Sequence, residues 1–205
     1  MLKLADSLRF MKTRGFNVAE FYECSSKSDL LAAFDRLQTP LVLKISSEKY
    51  SHKTDVGGIV LNLADKKELT SSYEKLKKLS SSVVLQEQKK GTELIIGIHN
   101  DPVFGRMIML GIGGVYVELL KDVSFRKIPI NAKDAKDMIN ELSFKKILEG
   151  FRGNPKIDEK ELAELLIKIG KLAIDEKINT LDLNPVIFEK DKAFFVDARI
   201  ELEQL

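Results

Sequence analysis

One of only two histidines in this 205-residue chain lies in a polar segment that contains two glycines. The segment, EKYSHKTDVGGI (residues 48–59), follows PLVLKI, an apolar run that predicts a buried strand. Its histidine is His52. A neutral imidazole is nucleophilic near pH 7, so His52 could take part in group transfer. A surface histidine without a chemical role is the alternative.

A lysine interrupts the apolar run that precedes this segment. In the predicted strand LVLKI, Leu41, Leu43 and Ile45 share one face, and Lys44 lies on the other face with Val42. A lysine in so apolar a strand either extends its stem to reach water or meets an anion. The strand alone leaves both interpretations open.

Oxygen-bearing side chains interrupt the two apolar runs that close the sequence. In LDLNPV, Asp182 and Asn184 share one face of a strand, and Pro185 should disturb that strand because it cannot donate to a sheet ladder. Asp197 interrupts AFFVDARI, and a hairpin of these two strands would bring Asn184 and Asp197 side by side. Oxygen ligands without nearby histidine or cysteine suit Mg²⁺, although an aspartate that caps a turn explains the pattern equally well.

Two glutamates lie near the two ends of the segment QEQKKGTE (residues 86–93), which we predict to be a hinge between two lobes. Glu87 and Glu93 are either solvated edge residues or acceptors for the amine and hydroxyl groups of a bound nucleotide. Nearby, GIGG (residues 111–114) leads into VYVEL rather than a helix. It therefore predicts a glycine turn between strands and not a dinucleotide-binding loop. The second histidine, His99, is expected to be structural.

Helical and strand periods alternate along the chain, which favours an α/β or α+β fold. Helices are predicted near the N-terminus and over residues 29–37, 66–79, 132–142 and 158–176. The predicted strands are NVAEFYEC, PLVLKI, GGIVLNL, SVVLQEQ, TELIIGIH, GRMIMLG, VSFRKIPI, TLDLNPVIF and AFFVDARI.

The composition excludes several classes of protein. Hydrophobic residues make up 44% and charged residues 31%, as in globular proteins, and the net charge of +2 gives no general attraction to nucleic acid or membranes. The single cysteine, Cys24, excludes an intrachain disulfide framework. The N-terminal segment is charged and amphipathic, unlike a signal peptide, so a cytoplasmic location is expected.

Taken together, these motifs resemble the ATP-grasp fold, and more narrowly the beta subunit of ADP-forming acyl-CoA synthetases, typified by ADP-forming acetyl-CoA synthetase. The resemblance covers almost the whole chain and rests on LVLK, SHKTDVGGI, ELIIGIHNDPVFG, GIGGVYVELLKDVSFR, GFRG, LDLNPV and VDARI. It implies two α+β lobes with the nucleotide between them. The smaller lobe would be approximately residues 17–88, and the larger lobe approximately residues 1–16 plus 89–205.

The resemblance also implies which residues meet the nucleotide, ATP or ADP. Lys44 would contact its phosphates from the smaller lobe, and Lys53 in the loop would help to cover them. Glu87 would lie where the hinge contacts adenine or ribose, largely through backbone groups. Glu93 would be a second acid of the nucleotide site.

The metal and the phosphate relay are implied in the same way. Asn184 and Asp197 match the family's Mg²⁺ pair, with Asp182 close by and outside the direct ligand set. His52 matches a histidine that is thought to relay phosphate between the nucleotide and a histidine on the alpha subunit. Metal and lysines together would neutralise charge at the transferring phosphoryl group.

The implied reaction is acyl-CoA + ADP + phosphate ⇌ carboxylic acid + CoA + ATP. Nothing in the sequence resembles the CoA-binding part of such enzymes, so an alpha subunit is expected, in an α2β2-type heterotetramer. Alternatives are a nucleotide-sensing ATP-grasp module without phosphoryl transfer, another carboxylate ligase, or a subunit of a succinyl-CoA-type ligase. SHKTD stands where the succinyl-CoA enzymes carry a glycine-rich phosphate loop, which disfavours the last alternative.

Overall fold

A computed structural model describes residues 1–47, 50, 53–113, 122–143, 145–150, 156–189 and 192–203. Its contacts divide the chain into two compact units. The N-terminal unit comprises Leu2–Lys89, and the C-terminal unit comprises Lys90–Leu205 together with Met1. The division falls within the segment predicted to be a hinge. It groups residues 2–16 with the N-terminal unit, whereas the sequence-based division assigned residues 1–16 to the larger lobe.

The N-terminal unit is a four-stranded antiparallel sheet with three helices. Its elements are α1 (Leu4–Thr13), β1 (Phe21–Cys24), α2 (Lys27–Phe34), β2 (Leu41–Ile45), β3 (Ile59–Leu63), α3 (Lys66–Leu76) and β4 (Val83–Glu87). The strand order is β1-β4-β2-β3, so β2 lies inside the sheet between β4 and β3.

One face of this sheet forms an apolar core with α2 and α3. The alternation predicted for β2 is confirmed, since its odd-numbered residues all belong to this core. The buried core includes Cys24, Leu30, Leu41, Leu43, Ile45, Leu69, Val83 and Leu85. Burial raises the pKa of the Cys24 thiol to about 12, so this cysteine stays protonated at neutral pH.

The C-terminal unit is a six-stranded antiparallel sheet with two longer helices. Its elements are β5 (Thr92–Asp101), β6 (Gly105–Ile112), β7 (Val123–Lys127), α4 (Ala132–Glu141), a 3-10 turn (Lys145–Ile147), α5 (Glu159–Asp175), β8 (Ile178–Glu189), β9 (Lys192–Phe195) and β10 (Arg199–Leu202). The strand order is β10-β8-β5-β6-β7, and β9 also pairs with β8. Helix α4 packs against α5 and β7.

An ion pair joins α4 to β7. Arg126 NH1 donates to Glu141 Oε2 at 2.9 Å, and Ser124 Oγ donates to the same carboxylate. The Arg126 guanidinium and the Ser124 hydroxyl lower the pKa of Glu141 to about 2, because both stabilise the charged carboxylate.

The α+β architecture and most predicted elements are confirmed, although several differ in extent; the helix predicted over residues 29–37, for example, is Lys27–Phe34. The helix predicted over residues 66–79 ends at Leu76. AFFVDARI is not one strand, because residues 196–198 separate β9 from β10 and Asp197 lies in this interruption. In the part of the chain that the structure describes, no helix is long and apolar enough to cross a membrane.

Candidate functional site

Lys44 is buried in the interior of the N-terminal unit. It projects from β2 on the face opposite the apolar core, and only 5% of it is exposed. Its Nζ donates a hydrogen bond of 2.9 Å to Gln86 Oε1. The interpretation in which the Lys44 stem carries its amine to open water is therefore wrong.

Gln86, which the sequence did not single out, accepts a hydrogen bond from this amine. It lies on β4, is fully buried, and donates from Nε2 to the backbone oxygen of Ala19 at 3.3 Å. Alternation in VVLQE indicates that Gln86 faces away from the core, as Lys44 does. Finding the contact also required the pairing of β2 with β4, which sequence spacing does not supply.

Lys53 opens a tight loop that hydrogen bonds tie to β2. It is 5% exposed, and its backbone oxygen accepts from Gly58 N at 2.7 Å. The Gly58 oxygen in turn accepts from Ile45 N at 2.9 Å. His52 lies just outside the described residues, so the role predicted for it stays a prediction.

The structure explains why both positions 57 and 58 of this loop are glycines. Gly57 adopts a φ of +65°, which side chains other than glycine rarely tolerate. A Cβ at Gly58 would lie 2.6 Å from Ile45 Cδ1 and 2.9 Å from the Lys53 oxygen. The loop therefore packs directly on β2, next to the residue that carries the buried amine.

Glu87 ends β4, and its carboxylate is held within the N-terminal unit. Lys89 Nζ lies 3.1 Å from Glu87 Oε2, and Gln38 N donates to Oε1 at 3.4 Å. The Glu87 backbone N–H donates to the Glu20 oxygen at 2.9 Å. These contacts fix the end of β4 at the start of the predicted hinge.

Glu93 is exposed on β5, at the start of the C-terminal unit. The surrounding protein still removes enough water to raise the pKa of its carboxyl. The Glu93 backbone oxygen accepts from Gly113 N at 2.6 Å, and a Cβ at Gly113 would lie 2.7 Å from the Glu93 carbonyl carbon. This close approach explains why position 113 of GIGG is a glycine. The strands on either side of GIGG, β6 and β7, pair antiparallel.

In the C-terminal unit, Asn184 and Asp197 occupy opposed register positions. Strand β8 pairs with β9 as far as Phe195, which lies opposite Val186, and with β10 from Arg199 onward in the same register. Counting inward from either pair places Asn184 opposite Asp197. The register therefore places the backbones of Asn184 and Asp197 opposite each other, where β9 gives way to β10.

The strand is irregular where this pair lies, as Pro185 predicted. The register of β8 against β5 shifts between Leu183 and Val186, and the Asn184–Pro185 peptide is cis. Asn184 is exposed and Asp197 is half-buried. An amide and a carboxylate oxygen fit Mg²⁺, which takes few protein ligands and keeps several waters. The described residues contain no group of three or more acidic, histidine or cysteine side chains placed to bind a metal.

A groove of about 480 Å³ opens on the C-terminal sheet. Its lining is mostly apolar, and Asp182 is the one predicted site residue among the lining residues, which include Gly97, His99, Phe104, Met107, Met109 and Phe125. His99 is exposed rather than packed in a core. On β8 the groove is lined by Leu181 and Asp182, and Asp182 lies two residues before Asn184.

Comparison with known proteins identifies the family to which the chain belongs. The sequence matches the ATP-grasp domain family over residues 1–202. It is 33% identical over 208 residues to the beta subunit of acetate–CoA ligase [ADP-forming] I from Pyrococcus furiosus, covering 96% of this chain and 90% of the relative. It is 35% identical to acetate–CoA ligase [ADP-forming] II from Archaeoglobus fulgidus, where it covers 95% of this chain but 29% of the relative.

A solved structure shows the same fold. The acetyl-coenzyme A synthetase 1 of Ca. Korarchaeum cryptofilum, in complex with coenzyme A and Mg-AMPPCP, matches with a TM-score of 0.82 and 36% identity. The match covers 98% of this chain and 92% of that chain. In that complex a phosphohistidine segment points towards the nucleotide-binding site. The chain therefore belongs to the ATP-grasp family, in the branch whose members include the beta subunits of ADP-forming acetate–CoA ligases.

Proposed function

We propose that this chain is the nucleotide-binding subunit of an ADP-forming acetate–CoA or related acyl-CoA ligase. Together with a partner subunit it would convert acyl-CoA, ADP and phosphate into carboxylic acid, CoA and ATP. The observation that carries the proposal is Lys44, a buried cation on an interior strand of an ATP-grasp unit. A lysine ammonium held inside the protein offers a fixed positive charge to the phosphates of a bound nucleotide.

Lys44 and Lys53 bind the nucleotide phosphates in this proposal. Both are buried, and the Gly58 hydrogen bonds connect the backbone of the Lys53 loop to β2. Their charges stabilise the oxygens of the transferring phosphoryl group, which is most of what catalysis of phosphoryl transfer requires. Glu87 fixes the hinge backbone, since its carboxylate is held by the Lys89 side chain and the Gln38 backbone N–H. Glu93 is the second acid of the nucleotide site.

Asn184 and Asp197 hold Mg²⁺ in this proposal. Their adjacent positions on β8 and before β10, with oxygen donors only, match the ligand preference of this ion. When bound, Mg²⁺ supplies charge neutralisation at the phosphate oxygens. The relative's complex with Mg-AMPPCP supports both the nucleotide and the metal as ligands of this chain.

His52 carries the phosphoryl group between the nucleotide and the partner subunit. In the direction of ATP synthesis, the P–N bond to a histidine of the partner breaks as a P–N bond to the His52 imidazole forms. That bond then breaks as a β-phosphate oxygen of ADP attacks, which yields ATP and neutral His52. The loop that follows His52 is tied to β2 through Gly58, and it begins with the buried Lys53.

This chain covers 29% of the Archaeoglobus relative and 90% of the separate beta subunit of Pyrococcus. A partner subunit is therefore needed to supply the rest of the enzyme. We propose that the remainder is an alpha subunit that carries the CoA and acyl-phosphate chemistry, in a heterotetramer. We propose a cytoplasmic location, which the single cysteine supports.

Reconstitution tests the proposal. The chain alone should bind Mg-ADP and produce no ATP from acetyl-CoA and phosphate, whereas addition of the alpha subunit should give turnover. In the reconstituted complex, His52→Ala should abolish ATP synthesis, and His99→Ala should retain it as the matched control. Turnover by the chain alone would contradict the subunit assignment, and full activity of His52→Ala would contradict the relay.

A further inference from the structure

We propose that Gln86 is a positioning residue for Lys44, which holds the amine at the place where it meets the nucleotide phosphates. The inference deepens the proposed function and rests on it. It assigns to Gln86 a task that the sequence did not indicate: to fix the direction of a buried cation without adding a negative charge beside it.

The geometry of the sheet makes the contact possible. Gln86 lies directly opposite Val42, two residues before Lys44 on β2, and both long side chains project from the face away from the apolar core. Diagonal neighbours on one face of an antiparallel pair lie within reach of long side chains. The 2.9 Å bond between Lys44 Nζ and Gln86 Oε1 is this diagonal contact.

The second bond of Gln86 fixes which amide atom faces the lysine. The Ala19 carbonyl can only accept, so it requires the Gln86 NH₂ group, which lies 3.3 Å away. The Lys44 ammonium can only donate, so it requires the amide oxygen. The two partners therefore define one orientation of the Gln86 side chain, and full burial keeps it from exchanging these bonds for water.

A neutral acceptor suits this position better than a carboxylate. A glutamate here would form a buried ion pair with Lys44 and would compete with phosphate for the amine. An apolar residue of the same length would remove an acceptor from a buried ammonium group. Glutamine avoids both effects, because its oxygen accepts the hydrogen bond and its net charge is zero.

The test is calorimetric titration of Mg-ADP into the full chain, comparing wild type with Gln86→Met, Gln86→Glu and, as a matched control, Gln38→Met. Gln38 is exposed and on the surface before β2, so its side chain should not matter. We expect Gln86→Met to weaken affinity about tenfold and Gln86→Glu to weaken it further, with Gln38→Met unchanged. Circular dichroism identifies folded variants, and the isosteric Gln86→Glu replaces Gln86→Met if the latter does not fold.

A double-mutant cycle separates positioning from a structural role. If Gln86 acts through Lys44, adding Gln86→Met to a Lys44→Met chain should cause no further loss of affinity. Wild-type affinity in folded Gln86 variants, or an equal loss in the Lys44→Met background, would overturn the inference while the proposed function stands. Absence of Mg-ADP binding to the wild-type chain would instead overturn the proposed function, and the inference with it.

Discussion

The two units present their candidate site residues in opposite ways. In the N-terminal unit, Lys44 and Lys53 are each 5% exposed, and Lys44 is held by a fully buried amide. In the C-terminal unit, Asn184 is exposed and Asp197 half-buried, where the register of β8 shifts and β9 gives way to β10. The cations lie on an interior strand and in a loop packed on it, whereas the oxygen ligands lie at an irregularity of a sheet.

The difference matches the needs of the two proposed ligands. Phosphate oxygens are bound most effectively by charges that are already fixed and shielded from water, because such charges need no reorganisation. Mg²⁺ keeps several waters and therefore needs an accessible pair of oxygens. Changes in the N-terminal unit should alter affinity for the nucleotide itself, and changes to the pair should alter the dependence on metal.

The largest effect is expected for Lys44→Met. Removal of the buried cation should weaken ADP binding about a hundredfold, with or without Mg²⁺, since the charge on the phosphates loses its main partner. Stability should also fall, by about 1–3 kcal/mol, because methionine cannot donate to the buried Gln86 oxygen. Calorimetry and thermal unfolding measure the two quantities.

Lys78→Met, at an exposed position of the same unit, is the control for this change and should bind ADP as wild type does. If Lys44→Met retains wild-type affinity for ADP, the buried cation of the N-terminal unit does not bind the nucleotide phosphates.

Asp197→Asn should have a smaller and more selective effect. Loss of the carboxylate should reduce the strengthening of ADP binding by Mg²⁺ about tenfold and leave metal-free affinity unchanged. Titrations with Mg²⁺ and with EDTA give both values, and Asp175→Asn serves as an exposed control on α5. An equal loss in both conditions would show that Asp197 acts on the nucleotide or the fold instead.

Substitutions of the two loop glycines, Gly57 and Gly58, should differ in their effects on stability and on ADP binding. Gly58→Ala forces a Cβ against Ile45 and the Lys53 oxygen, so it should lower the free energy of unfolding by about 1–3 kcal/mol and weaken ADP binding. Gly57→Ala meets no neighbour within 4 Å, and its cost of about 1 kcal/mol should come from its positive φ alone. If both variants bind ADP equally well, the packing of the loop on β2 does not position Lys53.

The smallest effect is expected for Glu141→Gln, far from both candidate sites along the chain. The pKa of Glu141 is about 2 in the folded protein and about 4.3 in an unfolded chain, so its stabilisation is complete above pH 4.3 and is lost as the pH falls towards 2. The pair is partly exposed, so the melting temperature should fall by about one to two degrees at pH 7. This difference should vanish near pH 2, and a constant difference across the range would contradict the assigned cause.

Local patterns were sufficient to predict much of the fold and one adjacency. Alternation in LVLKI identified the core face of β2, and Pro185 marked the irregularity of β8. The hairpin interpretation also anticipated that Asn184 and Asp197 lie opposite each other, although the run AFFVDARI is divided at Asp197. These features depend on neighbours along the chain or on a single strand pairing.

Features that depend on strand order could not be predicted in this way. The burial of Lys44 and its bond to Gln86 require β4 to pair with β2, although β3 and α3 separate them in sequence. Alternation gave the face of each residue but not its partner. The grouping of α1 with the N-terminal unit likewise depends on contacts such as that of Arg9 with Glu23, which helical periodicity does not reveal.

The most direct test of the central claim is calorimetric titration of ADP into the wild-type chain, first in EDTA and then in Mg²⁺. If Lys44 and Lys53 bind the phosphates, ADP should bind measurably in both conditions. If Asn184 and Asp197 bind the ion, the affinity should be clearly higher when Mg²⁺ is present. No binding, or the same affinity with and without the ion, would contradict a Mg-nucleotide site in this protein.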